Sequence, residues 1–414
     1  MSNQFFISIK NSCVLLLLTL SFFSCSRREN LDIIIEDPIQ IDTTNLIEEE
    51  NTFTPIGTVE ILNSTKIDDN YILVNDAGAN RVFLMNKEAK LLYEWFFTNN
   101  IGNDVYLLPN GNLLASLEAD NPKIPLGGKG GKIQFIEPDN TPTWQFDYSS
   151  IDGETHHDVE ILPNGNVIAM VWQKIDSTTA ITEGYMINEK IYPESIIEID
   201  PNTNSIVWEW NSMDHIIQDN DITKSNFGIV SENPNLIDIN YTVKDTSLPD
   251  VEGDIMHANA ISYDEDNDAI FLSVNSYSEV WVIDHSTTTE EASSHLGGNY
   301  NKGGDLIYRF GNPETYENTS GTRLFHNNHY PNLLKGENKG KLLIFSNGND
   351  IEQSTVYELE LPTTYDLPQN SNNEPTIVWS FTNQNLYSGK VSGAVLLENG
   401  NILITEGDFG FWEV

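Results

Sequence analysis

The chain has 414 residues, 39% of them hydrophobic and 10% aromatic, enough for one large domain with a sizeable core, which excludes disorder throughout. Its 62 acidic against 21 basic residues give a formal charge of -41. Such a surface repels phosphate backbones and anionic headgroups, so nucleic acid is excluded as a partner.

The N-terminus, "MSNQFFISIKNSCVLLLLTLSFFSC", has Lys10 ahead of an apolar run from Val14 to Phe23. The run is too short to span a bilayer and reads as an export signal over residues 1–25. "LSFFSC" resembles a bacterial lipoprotein box, which makes Cys25 the candidate lipidation site. The expectation is an exported protein of the cell envelope that meets the membrane only through a lipid anchor. The alternative is a secreted protein whose Cys25 leaves with the signal. Cys13 is the other cysteine, so no disulfide is expected in the folded domain. Residues 26–54 read as an acidic spacer, and residues 55–414 as the domain.

From Pro55 onward, short alternating runs bounded by Asn, Gly and Asp favour an all-β fold. "LPNGN" at 108–112 and 162–166, and "LENGN" at 397–401, mark hairpins, with the Asn-Gly pair expected to take positive φ at both residues. "DEDND" (264–268) and "KGENKG" (335–340) hold the same place in their repeats. Each unit ends on an aromatic strand: "LLYEWFF", "PTWQFDY", "SIVWEWN", "DLIYRFGN" and "TIVWSFT". Six units of four strands, beginning near residues 57, 101, 155, 253, 326 and 389, make a six-bladed β-propeller. An insertion of about 40 residues separates Asn211 from Gly253. The sixth unit lacks its aromatic strand, so the last blade is expected to be incomplete, unless N-terminal residues supply that strand.

In a propeller the first strand of each blade lines the channel. Seven residues ahead of the Asn-Gly pairs stand Asn103, His157 and Ser392, and the matching positions of the looser repeats are His257 and His329. Three of eight histidines thus share one repeat position. His156, beside His157, points to the opposite face unless a bulge turns it. Packing, metal ligation and acid–base or nucleophilic catalysis are all open to such a group. The absence of HxH or HExxH spacing and of a thiolate weighs against zinc, so neither metal nor cofactor is expected. His326 borders the group in sequence, while His215, His285 and His295 fall in an insertion or connections and are expected to be solvated.

The order "HHDVEILPNGN", "DIMHANAISYDEDNDAIFLSVNSYSEVWVIDHSTT", "GGDLIYRFGNPETY", "LFHNNHYPNLL" and "KLLIFSNGND" resembles the bacterial arylsulfotransferase family. The resemblance implies a six-bladed propeller that moves a sulfuryl group from a phenolic sulfate ester to a phenol through a sulfohistidine, without a nucleotide sulfate donor. It implies His329 as nucleophile, His257 with Asn259 as sulfate-positioning groups, and His157 or His156 completing the set. Asn328 stands where the family usually has Gln, and Asn275 where an arginine commonly follows "AIFLSV". Losing that bidentate cation puts catalysis in doubt. Arg323 or Lys302 are the candidates to compensate. The alternative is a non-catalytic propeller that binds a sulfated or aromatic ligand.

Overall fold

A computed structural model describes residues 55–244, 252–407 and 409–414. The signal, the spacer and Cys25 lie outside the described residues. Six antiparallel sheets succeed one another along the chain and stand in a ring, the expected β-propeller.

The second to fifth sheets have four strands each, in chain order from the axis outward. Their innermost strands are Ile101–Leu107, Gly153–Ile161, Ala258–Asp264 and Asn328–Leu333. The aromatic segments form the outermost ones, Pro142–Asp147, Ser205–Asn211, Tyr308–Phe310 and Thr376–Phe381. The alternation that marked these strands is the reason they sit here. In Ser205–Asn211 the alternation holds over Trp208 and Trp210, both buried with Glu209 partly exposed between them, whereas Tyr308–Phe310 is buried throughout and Ile206, Val207, Ile377 and Val378 lie on the exposed rim.

Near the axis, side chains of one blade bond the backbone of the next. Asp158 Oδ2 accepts from Ile261 N at 2.7 Å, Glu160 Oε2 from Tyr263 N at 2.8 Å, and Asn332 Nδ2 donates to Ala394 O at 3.1 Å. Backbone groups that lack a partner within their own sheet are satisfied in this way, and the blades are held in register.

The hairpins differ in type from the expectation. Only the glycines, Gly111, Gly165 and Gly400, have positive φ, at 89°, 88° and 89°. Pro109 and Pro163 hold the first central position near its natural φ, and each loop is a three-residue turn closed by a left-handed glycine. Gly111 N donates to Leu108 O at 2.9 Å, and Asn112 N to the Asn110 side chain at 3.0 Å.

The first and sixth sheets have three strands. The sixth consists of Gly393–Leu396, Ile402–Glu406 and Gly410–Glu413, without an aromatic fourth strand among the described residues. The first consists of Ile72–Asp76, Arg81–Met85 and Leu91–Phe96. Its turn Ala77–Ala79 ends on left-handed Asn80, as Asn275–Tyr277 of the fourth sheet ends on left-handed Ser278. Ile72–Asp76 therefore corresponds to a second strand. The unit expected to begin near residue 57 has no regular innermost strand, and Ile61 is 90% exposed. The two incomplete sheets meet through side chains: Glu413 accepts from Asp68 N at 2.5 Å and pairs with Lys87 at 2.6 Å, and Asn401 Nδ2 donates to Lys66 O at 2.8 Å. N-terminal residues thus reach the last sheet without adding a strand to it.

The insertion leaves the third blade through the turn Ser212–His215. It places the short strand Ile216–Ile217 parallel to Ile237–Asp238 and ends in the helix Tyr241–Lys244. No helix among the described residues is long and apolar enough to cross a membrane.

Candidate active site

The innermost strand of the third sheet loses register between His156 and Val159, and His157 has a φ of 50°. This bulge turns both imidazoles the same way. Left-handed backbone recurs at His257 (48°) and Ser392 (90°), and flanks His329 at Asn327 (62°) and Tyr330 (56°). Such a conformation costs a non-glycine residue about 1–2 kcal/mol. Its recurrence at one repeat position shows that the chain bends inward at the same depth in several blades.

These bends bring the histidines together. His156 Nδ1 is 2.9 Å from His157 Nδ1, and the His157 and His257 rings stand edge to face with centroids 5.0 Å apart. His329 is near enough that His257 contributes to its pKa.

Three of the four imidazoles have an oriented hydrogen-bond partner outside the group. His156 stacks flat on Trp172 at 4.0 Å and meets Glu194 Oε2 through Nε2 at 2.8 Å, both side chains wholly buried. His257 meets Asp254 Oδ2 through Nδ1 at 2.5 Å, and 29% of its side chain is exposed. His329 Nδ1 lies 2.6 Å from Asn347 Oδ1. The Asn347 amide is fixed in orientation, because its Nδ2 donates to Ser388 O at 2.8 Å and Val391 O at 3.1 Å. Asn347 therefore presents an acceptor, Nδ1 of His329 carries the hydrogen, and the lone pair sits on Nε2.

Burial separates the protonation states. It drives His156 down to about 3, His157 well below the usual range and His329 down to about 4. Burial also opposes charge on His257, but the hydrogen bond and charge of Asp254 outweigh it and raise that pKa. Glu194 is pushed well above the carboxylate range, first by burial and then by Asp254. The site holds three neutral imidazoles and one that favours its proton.

Asn259, Asn275 and Asn328 stand beside His329 as buttresses. The Asn328 carbonyl accepts from Asn259 Nδ2 at 2.7 Å, Asn275 Nδ2 at 3.2 Å and Ser273 Oγ at 3.3 Å. The Asn328 amide donates to Ser273 Oγ at 2.7 Å and Glu279 O at 3.0 Å, and Asn275 Oδ1 accepts from Asn327 at 2.9 Å. All three amide donors are engaged within the protein. Neither candidate substitute for the missing arginine is shown against the histidines: Arg323 bonds Phe325 O and Ser278 Oγ and pairs with Glu314, and Lys302 follows the 294–301 connection of the fourth blade.

Sequence reasoning missed the partners Glu194, Asp254, Asn347 and Trp172. Asp254, three residues before His257, and Asn347, in the quoted "FSNGND", carried a signal; Glu194 in "YPESIIEID" carried none. It also missed the loop around Gly128, within "LGGKGGK". Gly128 O accepts from His157 N at 2.8 Å, and a Cβ at Gly128 would stand 2.0 Å from the His157 ring.

The expectation that His215 and His285 are solvated is corrected. His215 has no exposed surface, and His285 is held by Asp268 at 2.7 Å and Glu198 at 3.1 Å, because the insertion and connections fold back onto the blades. His295 is 62% exposed, as expected. His326 pairs with Asp350 at 2.7 Å.

The family model for Arylsulfotransferase (ASST) matches residues 144–413, well over half of the chain, including His156, His157, His257 and His329. The chain belongs to the arylsulfotransferase family. The family's reaction is sulfuryl transfer with aryl sulfates and phenols as small-molecule substrates. No curated protein matches this chain. Among solved structures it is similar to a protein of unknown function from Bacteroides caccae, at 14% identity over 82% of this chain and 83% of that one, with a TM-score of 0.45. It is also similar to Kuenenia stuttgartiensis hydrazine synthase, at 11% identity over 70% and 68%, with a TM-score of 0.38. Likenesses at this level carry no argument about function.

Proposed function

We propose that this protein transfers a sulfuryl group from a phenolic sulfate ester to a phenol through a sulfohistidine on His329, with no nucleotide sulfate. The observation that carries the reading is the Asn347 contact, which leaves the His329 Nε2 lone pair free on an imidazole that stays neutral down to about pH 4.

In the first step Nε2 attacks sulfur and the S–O bond to the phenol breaks. The electron pair leaves on the phenolate oxygen, which takes a proton from His257. In the second step His257, now neutral, takes the proton of the acceptor phenol. The phenol oxygen attacks sulfur, the N–S bond breaks and His329 is restored. Protonated His257 also offsets charge on the sulfuryl oxygens, a role in which the absent arginine would otherwise serve. Glu194, His156 and His157 connect behind His257 through the 2.8 Å and 2.9 Å contacts, with burial keeping both of these imidazoles neutral, and Asn259, Asn275 and Asn328 act as positioning residues for the His329 backbone. The "LSFFSC" segment supports placing this activity in the cell envelope, on a lipid anchor at Cys25.

Incubation with 4-nitrophenyl sulfate and a phenol acceptor tests the reading. Nitrophenolate release with stoichiometric sulfation of the acceptor, unaffected by chelator and lost in His329→Ala, is the expected result. The engagement of Asn275 with Asn328 O, where a guanidinium is expected, favours a second reading as a binding propeller. Retained aryl sulfate binding without turnover would select it.

A further inference from the structure

We propose that His215, His295 and Asp305 form a binding site for a divalent transition-metal ion, best suited to zinc, that joins the third blade to the fourth. Their ligand atoms lie within 4.8 Å of one another.

Asp305 Oδ1 is 2.7 Å from Nδ1 of His215 and also 2.7 Å from Nδ1 of His295. His215 Nε2 lies 2.8 Å from Ala292 O, a contact that only an N–H can make. With Nε2 turned to that carbonyl, Nδ1 is the His215 nitrogen that faces Asp305. The two Nδ1 atoms and the carboxylate oxygen thus converge, with the imidazole rings edge to face at 5.9 Å, as metal ligands do. A backbone carbonyl on the far nitrogen is the usual way to orient a ligating histidine.

The rest of the surroundings fix the rigid half of this site. The His215 ring lies parallel to Trp210, with 5.8 Å between centroids and 3° between planes. Gly304 closes on its other side, where a Cβ would stand 2.5 Å from Nε2. Trp210 Nε1 donates to Gly304 O at 2.7 Å, so the loop carrying Asp305 is tied to the third blade's outer strand. His295 is the adjustable ligand, since 62% of its side chain is exposed. Tetrahedral zinc, with bonds of about 2.0–2.1 Å, separates its ligand atoms by about 3.3 Å, so the two 2.7 Å contacts need to open by about 0.6 Å while the pair of imidazole nitrogens, within 4.8 Å, closes toward the same spacing. Two imidazoles and a carboxylate leave a fourth position for water.

The test is a zinc titration of the full chain after chelator treatment, with a chromophoric chelator as competitor and thermal unfolding as a second readout. Zinc should bind and raise Tm by mass action. His295→Ala, which removes an exposed side chain, should weaken binding more than about tenfold and remove the Tm rise. His326→Ala should change neither, and Asp305→Asn should follow His295→Ala. The proposal is overturned if zinc fails to bind at millimolar concentration, or if His295→Ala and Asp305→Asn bind it as the unmodified chain does.

Discussion

Asn347 is placed to decide which nitrogen of His329 is nucleophilic, since its amide is anchored at Ser388 and Val391 and can offer His329 only an oxygen. Asn347→Leu should lower kcat by on the order of 100-fold or more with little change in KM, because the wrong tautomer presents an N–H to sulfur. Asn347→Asp keeps an accepting oxygen and should recover much of the rate; steady-state kinetics of the pair checks this. Protonation gives a second test. His329 is active when neutral, above about 4, and His257 when charged, below its raised pKa. The rate should therefore climb as pH rises through about 4 and fall at a pH above the ordinary histidine value of about 6.5. In Asp254→Asn the upper limb of the pH–rate profile should move to lower pH while the lower limb stays. His157, His257 and His329 were legible in the sequence because a repeat fixes their depth, whereas His156 joins them only through the bulge between His156 and Val159. Their partners were not, because Glu194 and Asn347 arrive from other strands and loops, and register within one strand says nothing of what crosses from elsewhere.

At the scale of elements, two glycines with nearly equal φ separate backbone strain from close approach. Gly165, at 88°, has open space where a Cβ would be, and Gly165→Ala should cost about 1 kcal/mol from the left-handed conformation alone. Gly128, at 81°, has the His157 ring 2.0 Å from that position. Gly128→Ala must displace either the loop or the imidazole, so it should cost clearly more stability than Gly165→Ala in denaturant unfolding and depress transfer activity as well. The turns were legible as turns but not by type, since each is a three-residue loop in which only the glycine takes positive φ, with Pro109, Pro163 or Glu398 at its first position. The aromatic outer strands were the most legible feature, because Trp, Tyr and Phe at alternate positions mark a face packed against the neighbouring blade.

For the whole molecule, the ring was readable from six recurrences of one strand order, whereas the seam was not. The first unit's missing inner strand lies in residues 57–62, whose apolar alternation resembles that of a paired strand, and only tertiary contact decides whether such a segment finds a partner. The ring also gathers buried carboxyls. Burial pushes Glu160 and Glu374 to about 8, and Asp104, Asp158 and Glu194 upward. A carboxyl raised in the folded state binds its proton more readily folded than unfolded, so its contribution is present at low pH and lost as pH rises toward about 8. The depressed His156, at about 3, acts in the opposite sense only below about 6.5. Between pH 6.5 and 8.5, therefore, unfolding free energy should fall, and Glu160→Gln, which keeps an acceptor for Tyr263 N, should reduce that fall by on the order of 1 kcal/mol. Denaturant midpoints at the two pH values measure it.

The ring exists, on this account, to hold one neutral imidazole where a sulfuryl group can reside between two phenols. Rapid quenching at alkaline pH of the protein mixed with excess aryl sulfate and no acceptor, followed by peptide mass spectrometry, reads that state directly. The account requires one sulfuryl group on the peptide carrying His329, lost when phenol is added before the quench. Sulfation of a different residue, or turnover with no sulfated peptide at any quench time, would contradict it.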